Sequence, residues 1–229
     1  MSKNRLKTKT SPPHPGLVLA SASHYRKALL ERLGVPFIVA AADIDETALS
    51  GETPAVSALR LAEAKTRAVA ARHPASLIIG SDQLAECAGA PLGKPRDRAH
   101  AKELLRDMRG RSIVFHTALC LLNSQSGRLQ SALVDVVTTL RALDDDAIEA
   151  YLDRDQPFDC AGAMRIETLG IALVTRVASD DPTALIGLPL IALCDMRAHG
   201  ASRARGRREP TSAGLEQAQR AATHPPGRL

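Results

Sequence analysis

Two long β-rich runs, Ser112 to Asn123 and Arg128 to Leu140, are separated only by Ser124-Gln125-Ser126-Gly127. Four turn-forming residues suffice for an antiparallel hairpin and are far too few for a crossover between parallel strands. Any sheet that holds this pair therefore has an antiparallel part. The first half of the chain has the opposite habit: short apolar runs alternate with stretches of helical period, the pattern of strands joined by helices. Both habits in one chain of 229 residues predict an α/β fold on a mixed sheet flanked by helices.

The punctuation of the chain gives the expected elements. Leu17 to Ala20 reads as a buried strand, followed by a helix from His24 to Leu33 with Ser23 as N-cap and Gly34 as stop. Phe37 to Ala41 is a second strand and Ala42 to Glu52 an acidic loop. Thr53-Pro54 opens a long helix to His73, with proline at the first helical position. Leu77 to Asp82 is a strand, and Asp97 begins a helix that ends near Met108-Arg109-Gly110. After the hairpin, Asp144-Asp145-Asp146 starts a helix through Arg154, its acids at the positive end of the dipole. A last strand at about Ile171 to Val174 and a helix in the 187–199 region complete the chain. There is no internal repeat.

Charge is unevenly placed. The formal net charge is +5, yet residues 1–15 carry four basic residues and no acid, and residues 201–229 carry six arginines against two glutamates. The body between them is therefore at −3. Both ends are rich in Ser, Pro, Ala and Gly without periodicity, so 1–15 and 201–229 are expected to be disordered basic extensions around a folded domain at 16–200. Solvated tails explain this charge better than specific nucleic-acid binding. Cys87, Cys120, Cys160 and Cys194 lie more than thirty residues apart, which gives neither a CxxC zinc pair nor a dense disulfide framework. Apolar stretches such as Leu185 to Cys194 are too short and interrupted to span a bilayer, and the N-terminus has no apolar signal core. The expected compartment is the cytoplasm.

Several short stretches bear chemistry. In "SASHYRK", residues 21–27, Ser21, Ser23, Arg26 and Lys27 stand at a strand-to-helix junction, where backbone N–H groups attract anions. Taken alone, they equally make an N-cap with a solvated basic face. "DIDET", residues 43–47, offers three carboxylates of the kind that bind Mg²⁺ or Mn²⁺, or a solvated turn. Lys65 in "RLAEAKTRA" reads as a surface charge paired with a nearby acid. Asp82 follows Leu77-Ile78-Ile79-Gly80-Ser81, at the place where open α/β sheets bind ligands, though turn-forming is a common role for Asp. Lys94, between Gly93 and Pro95, is a cation on a stiff loop. Together they describe a polyphosphate site with a metal.

The ordered set "LASASHYRKALLERLG", "DIDET", "RLAEAK", "IIGSDQ", "LGKP", "CAGA", "IETLGIALV" and "DPTALIGLPLIAL" resembles the Maf family of nucleoside triphosphate pyrophosphatases, over about Leu17 to Met196. The resemblance implies an elongated, two-lobed α/β fold with a nucleotide cleft between the lobes, frequently a homodimer. It implies cleavage of nucleoside triphosphates between the α and β phosphates with Mg²⁺ or Mn²⁺. The family's proton-accepting carboxylate falls on Asp82, the acid of its metal loop on Glu46, and its phosphate-facing cations on Arg26, Lys65 and Lys94, with Ser21 beside them.

Three positions resemble the branch that acts on 7-methyl-GTP: the aromatic Tyr25, Gln83 after the key acid, and Glu167 in "RIETLG". A carboxylate accepts the N–H groups of guanine, Gln83 would hydrogen-bond O6, and a methylated cationic base over an aromatic face gains about 0.5–2 kcal/mol. The sequence departs from the family at His24, Tyr25, Lys27, Arg165 and Thr168, where Pro, Trp, Arg, Lys and Gly are usual. Lysine for arginine at position 27 loses bidentate phosphate geometry. A dTTP/UTP pyrophosphatase is the alternative that these three positions argue against. A non-catalytic nucleotide-binding regulator of cell division is another, and it would not need Asp82. No GxxxxGK[ST] phosphate loop exists.

Overall fold

The computed structural model describes residues 16–204. Of these, residues 16–193 form one compact unit, and 194–204, the end of the last helix, fall in a second. The elements run β1 (Gly16–Leu19), α1 (His24–Glu31), β2 (Ile38–Val39), α2 (Pro54–Ala70), β3 (Ser76–Cys87), β4 (Ala90–Leu92) and α3 (Arg98–Met108). There follow β5 (Ser112–Asn123), β6 (Leu129–Leu140), α4 (Asp145–Asp155), β7 (Val174–Ala178) and α5 (Leu190–Ala204), with short 3₁₀ turns at Ala161–Ala163, Leu169–Leu173 and Ala184–Ile186.

The seven strands form one mixed sheet in the order β2-β1-β3-β5-β6-β7, with β4 also on β3. β1 is parallel to both β2 and β3; every pairing from β3 onward is antiparallel. The expected hairpin is β5–β6, in continuous register from Ser112↔Thr139 to Leu122↔Leu129.

The helices start where side chains can satisfy their free N–H groups. Ser23, Thr53, Asp97 and Asp144 each accept from the backbone N–H three residues on. α2 lies on one face of the sheet. Its Ala58 and Ala62 pack on Ala118 and Cys120 of β5, and Val69 packs on Val18, Ile78 and Leu122. The larger core on the opposite face joins Leu105 and Met108 of α3, and Ile148 and Tyr151 of α4, to Ile113 and Phe115 of β5.

Three strand expectations are corrected. β3 does not end at Asp82 but continues to Cys87, because residues 80–87 keep antiparallel pairing with β5 that local sequence cannot show. The expected strand at Ile171–Val174 is a 3₁₀ turn, and β7 starts at Val174: Gly170 lies so close to the Arg165 carbonyl that an added Cβ would come within 2.3 Å of it. The second strand shrinks to Ile38–Val39. α5 reaches Ala204, so the first four residues of the expected C-terminal tail are helical; residues 1–15 and 205–229 lie outside the described residues.

The approach of α2 to β3 depends on Gly80. A Cβ there would meet Thr66 Oγ1 at 1.9 Å and the Ala62 carbonyl at 2.5 Å. Both atoms are tied to each other, Thr66 Oγ1 donating to Ala62 O at 2.6 Å, so neither moves freely. Gly80→Ala is expected to lower the unfolding free energy by about 3 kcal/mol in urea titration; a loss below about 0.5 kcal/mol would show that this contact is not tight.

Candidate active site

The site arises from a gap along one edge of β3. β1 pairs with Ser76–Ile79, and Ala20 N–H adds one last bond to the Ile79 carbonyl. β4 takes up the same edge only at Ala85–Cys87. Between them Gly80–Leu84 has β5 as its strand neighbour and an open edge on the other side. A cavity of about 480 Å³ occupies that opening. Asp82 is thus central in a strand, set where the parallel pairing stops and the chain of β1 turns away through Ser21 into α1.

The face of β3 that carries Gly80 and Asp82 looks to α2. The buried positions of that helix, Ser57, Ala58, Leu61, Ala62, Lys65, Thr66 and Val69, follow helical spacing, so Lys65 stands in the buried stripe rather than on the surface. A buried ammonium requires partners. Lys65 Nζ donates to Asp82 Oδ1 at 2.5 Å and lies 2.8 Å from Glu46 Oε1. Among the described residues, no protein hydrogen bond reaches Asp82 Oδ2. Burial pulls the Arg26 guanidinium below its ordinary pKa, while the nearby Asp82 and Glu46 charges pull it back up. Two cations and two carboxylates therefore stand together in near balance. Lys94, exposed on the cavity wall, makes no ion pair among the described residues.

Ser81 and Gln83 point to the opposite face, toward the turn that begins at Ala184. Ser81 Oγ is wholly buried between the Ala118 and Gly187 carbonyls, at 2.7 and 2.8 Å. Arg26 Nε donates to the same Gly187 carbonyl at 2.8 Å, and its NH1 reaches Ser21 Oγ at 3.4 Å. The guanidinium is thereby held by main chain from a residue 161 positions away. Gln83 Nε2 contacts Thr117 Oγ1 and the Ala184 and Leu185 carbonyls.

The cavity is also walled by Tyr25, Asp159, Cys160, Met164, Ile166 and Glu167. Burial raises the Tyr25 pKa, and the Cys160 thiol, Asp159 and Glu167 push it the same way. The surrounding protein likewise raises the Glu167 carboxyl. Burial pushes the Cys160 thiol up to about 11, so it is protonated at neutral pH. Arg165, behind this wall, ties Asp159 at 2.6 Å and the Asp155 carbonyl at 2.7 Å. The Tyr151 hydroxyl accepts from Arg165 N–H and donates to the Ala163 carbonyl, fixing the segment.

One cavity thus brings together Ser21, Tyr25, Arg26, Glu46, Lys65, Asp82, Gln83, Lys94 and Glu167. Residues 16–199 match the family described as Maf-like protein. The chain belongs to the Maf family. A 7-methyl-GTP pyrophosphatase of Cupriavidus pinatubonensis (strain JMP 134 / LMG 1197) is 54% identical over 187 residues, 82% of this chain and 94% of its own. One of Paraburkholderia xenovorans (strain LB400) is 56% identical, covering 80% and 90%. Among solved structures, a HAM1 protein from Coxiella burnetii is similar over 56% of this chain and 74% of its own, at 20% identity and a TM-score of 0.41.

In this Maf chain Lys27 stays apart from the site. It lies 3.7 Å from Glu31, one helical turn on, on the exposed side of α1, because the cavity side of that turn belongs to Tyr25 and Arg26. The reading of Lys65 as a surface charge is also corrected: it is buried, and the signal for this was its place in the helical spacing of that stripe of α2. Ser81, Thr117 and Asp159 were missed, since nothing near them in sequence shows that they meet residues 184–187 or Arg165.

The loop that carries Glu46 is pinned to α2 by Glu52. Its carboxylate accepts from Arg60 Nε at 2.6 Å, Arg60 NH2 at 2.8 Å, Ser57 Oγ at 2.6 Å and Leu49 N–H at 3.2 Å. Arg60 in turn donates to the Thr47 carbonyl at 3.2 Å. These bonds, led by Arg60, hold the Glu52 pKa down from 4.5 to about 2. A carboxyl depressed on folding adds stability that is complete above its unfolded value and lost as pH falls through the folded one. Between pH 4.5 and 2 the melting temperature of the natural chain should therefore fall more steeply than that of Glu52→Gln. Parallel curves in differential scanning calorimetry would refute this.

Proposed function

We propose that the chain hydrolyses 7-methyl-GTP to 7-methyl-GMP and pyrophosphate. The observation that carries the reading is that the cavity lining holds two groups of interacting side chains, Asp82, Glu46, Lys65 and Arg26 in one, and Tyr25 with Asp159 and Glu167 in the other. A triphosphate suits the first and a cationic purine the second. The names of the relatives agree with it.

Asp82 Oδ1 is held by Lys65, which leaves Oδ2 to orient a water and take its proton. The water oxygen bonds to the α-phosphorus, the bridging bond to the β-phosphate oxygen breaks, and pyrophosphate leaves with the electron pair. Arg26, Lys65 and Lys94 offset the charge that builds on the departing oxygens. Arg26 is preset for this by the Gly187 carbonyl.

The donor set suits Mg²⁺ or Mn²⁺. Asp82 and Glu46 are hard oxygen donors gathered on one ammonium, and their charge already balances Lys65 and Arg26. Among the described residues lining the cavity, the cations Arg26, Lys65 and Lys94 exceed the carboxylates Asp82 and Glu46 by one, against about four negative charges on a triphosphate. Asp82 and Glu46 would hold the ion, and a divalent cation there supplies polarisation of phosphoryl oxygens and neutralisation of charge. Among the described residues no helix is long and apolar enough to cross a membrane. A cytoplasmic homodimer goes with this reading.

Pyrophosphate release from 7-methyl-GTP, GTP, dTTP, UTP and CTP with Mg²⁺ or Mn²⁺ tests it. Preference for 7-methyl-GTP is expected, and Asp82→Asn should lower kcat by at least about 100-fold. Preference for dTTP or UTP would overturn the account of Tyr25 and Glu167. A folded protein that hydrolyses none of them would overturn the enzyme reading in favour of a nucleotide-binding regulator.

A further inference from the structure

A side-chain amide has two N–H donors and one carbonyl acceptor. Three acceptors surround Gln83 Nε2: Thr117 Oγ1 at 2.8 Å, the Ala184 carbonyl at 2.8 Å and the Leu185 carbonyl at 3.1 Å. Carbonyl oxygens can receive only from the nitrogen end, so this amide cannot be turned over without setting oxygen against two oxygens. The Thr117 hydroxyl is committed as well. Its single proton goes to the Ala184 carbonyl at 2.9 Å, so it meets Gln83 with a lone pair. Thr117 is wholly buried and stands directly opposite Gln83 in the β3–β5 register. With both N–H donors spent, Oε1 is the polar atom that Gln83 has left for the cavity it lines.

We propose that Thr117 is a positioning residue for substrate selection: with the Ala184–Leu185 carbonyls it holds Gln83 so that the base meets an acceptor and never the amide donors. The proposal rests on the reading of the cavity as a nucleotide site. It replaces the expectation that Gln83 donates to O6 of guanine. Gln83 Oε1 and the Glu167 carboxylate, both on the wall of the cavity, would offer the base two acceptors. The pairing edge of guanine carries two adjacent donors, N1–H and the 2-amino group, and so matches that pair. Uracil and thymine carry one N–H flanked by two carbonyls, so one of the two acceptors would face an oxygen. Selection therefore comes from repulsion of the wrong edge as much as from attraction of the right one. Gly187 is held separately, by Ser81 and Arg26. Losing the Thr117 hydroxyl should then disturb the base contacts and spare the phosphate contacts.

The experiment measures kcat and KM for 7-methyl-GTP, GTP and UTP in the natural chain, Thr117→Val and Thr117→Ser. In Thr117→Val the ratio of kcat/KM for the guanine nucleotides to that for UTP should fall about tenfold, carried by KM. Thr117→Ser, which keeps the hydroxyl, should return it to within about twofold. Equal losses on all three nucleotides, or a serine variant no better than valine, would overturn the proposal. If Thr117→Val does not fold, Gln83→Leu decides, since it leaves the Thr117–Ala184 bond in place: an unchanged ratio there overturns it. The natural chain's own preference tests the functional reading separately, and a preference for UTP would defeat that reading alone. If turnover is absent, the same ratios are read from binding by calorimetry.

Discussion

The ammonium of Lys65 among buried side chains is the constraint on which the site depends. A lysine in the packed stripe of α2 is costly unless its charge is met at close range. Asp82 from the middle of β3 and Glu46 from the loop before α2 meet it at 2.5 and 2.8 Å. The helix, the central strand and the acidic loop are thus tied at one atom. Gly80 and the small residues Ala58 and Ala62 let the helix come close enough for the tie to form. Removing either carboxylate would leave part of that charge uncompensated, so stability and chemistry share the same residues.

The sheet decides where this tie faces a ligand. β1 ends at Leu19 and β4 begins only at Ala90, which leaves five residues of β3 without a strand along one edge. Side chains alternate across the strand, so Asp82 looks to α2 while Ser81 and Gln83 look to residues 184–187. Both sets border the same opening. The carbonyls of one turn then serve two purposes, Gly187 holding Arg26 and Ala184 with Leu185 holding Gln83. Groups that would contact phosphate and base are set by adjacent points of one backbone.

Around Tyr25 the charge is one-sided. Arg165 is engaged by Asp159 and the Asp155 carbonyl, and Glu167 adds a further carboxylate beside Tyr25. Asp159 and Glu167 are both exposed, so water and salt screen part of this excess of negative charge. That sign of charge is the one the proposed cationic purine would need.

Much of this was legible in the chain itself. The hairpin, the starts of four helices and the mixed character of the sheet follow from local rules of spacing, turn chemistry and capping, and the motif residues Asp82, Glu46, Arg26, Lys65 and Lys94 were marked by their motifs. What the sequence by itself determined was which side chains exist and on which face of a local element each must lie. Only the tertiary structure decided which faces meet: that β3 continues past Asp82, that Lys65 is buried, that Lys27 turns away, and that Gln83 has its amide donors spent on a turn about a hundred residues later. The reason is physical. Propensity, period and caps act within a few residues, whereas burial and the partner of a hydrogen bond are set by chain segments that only folding brings together.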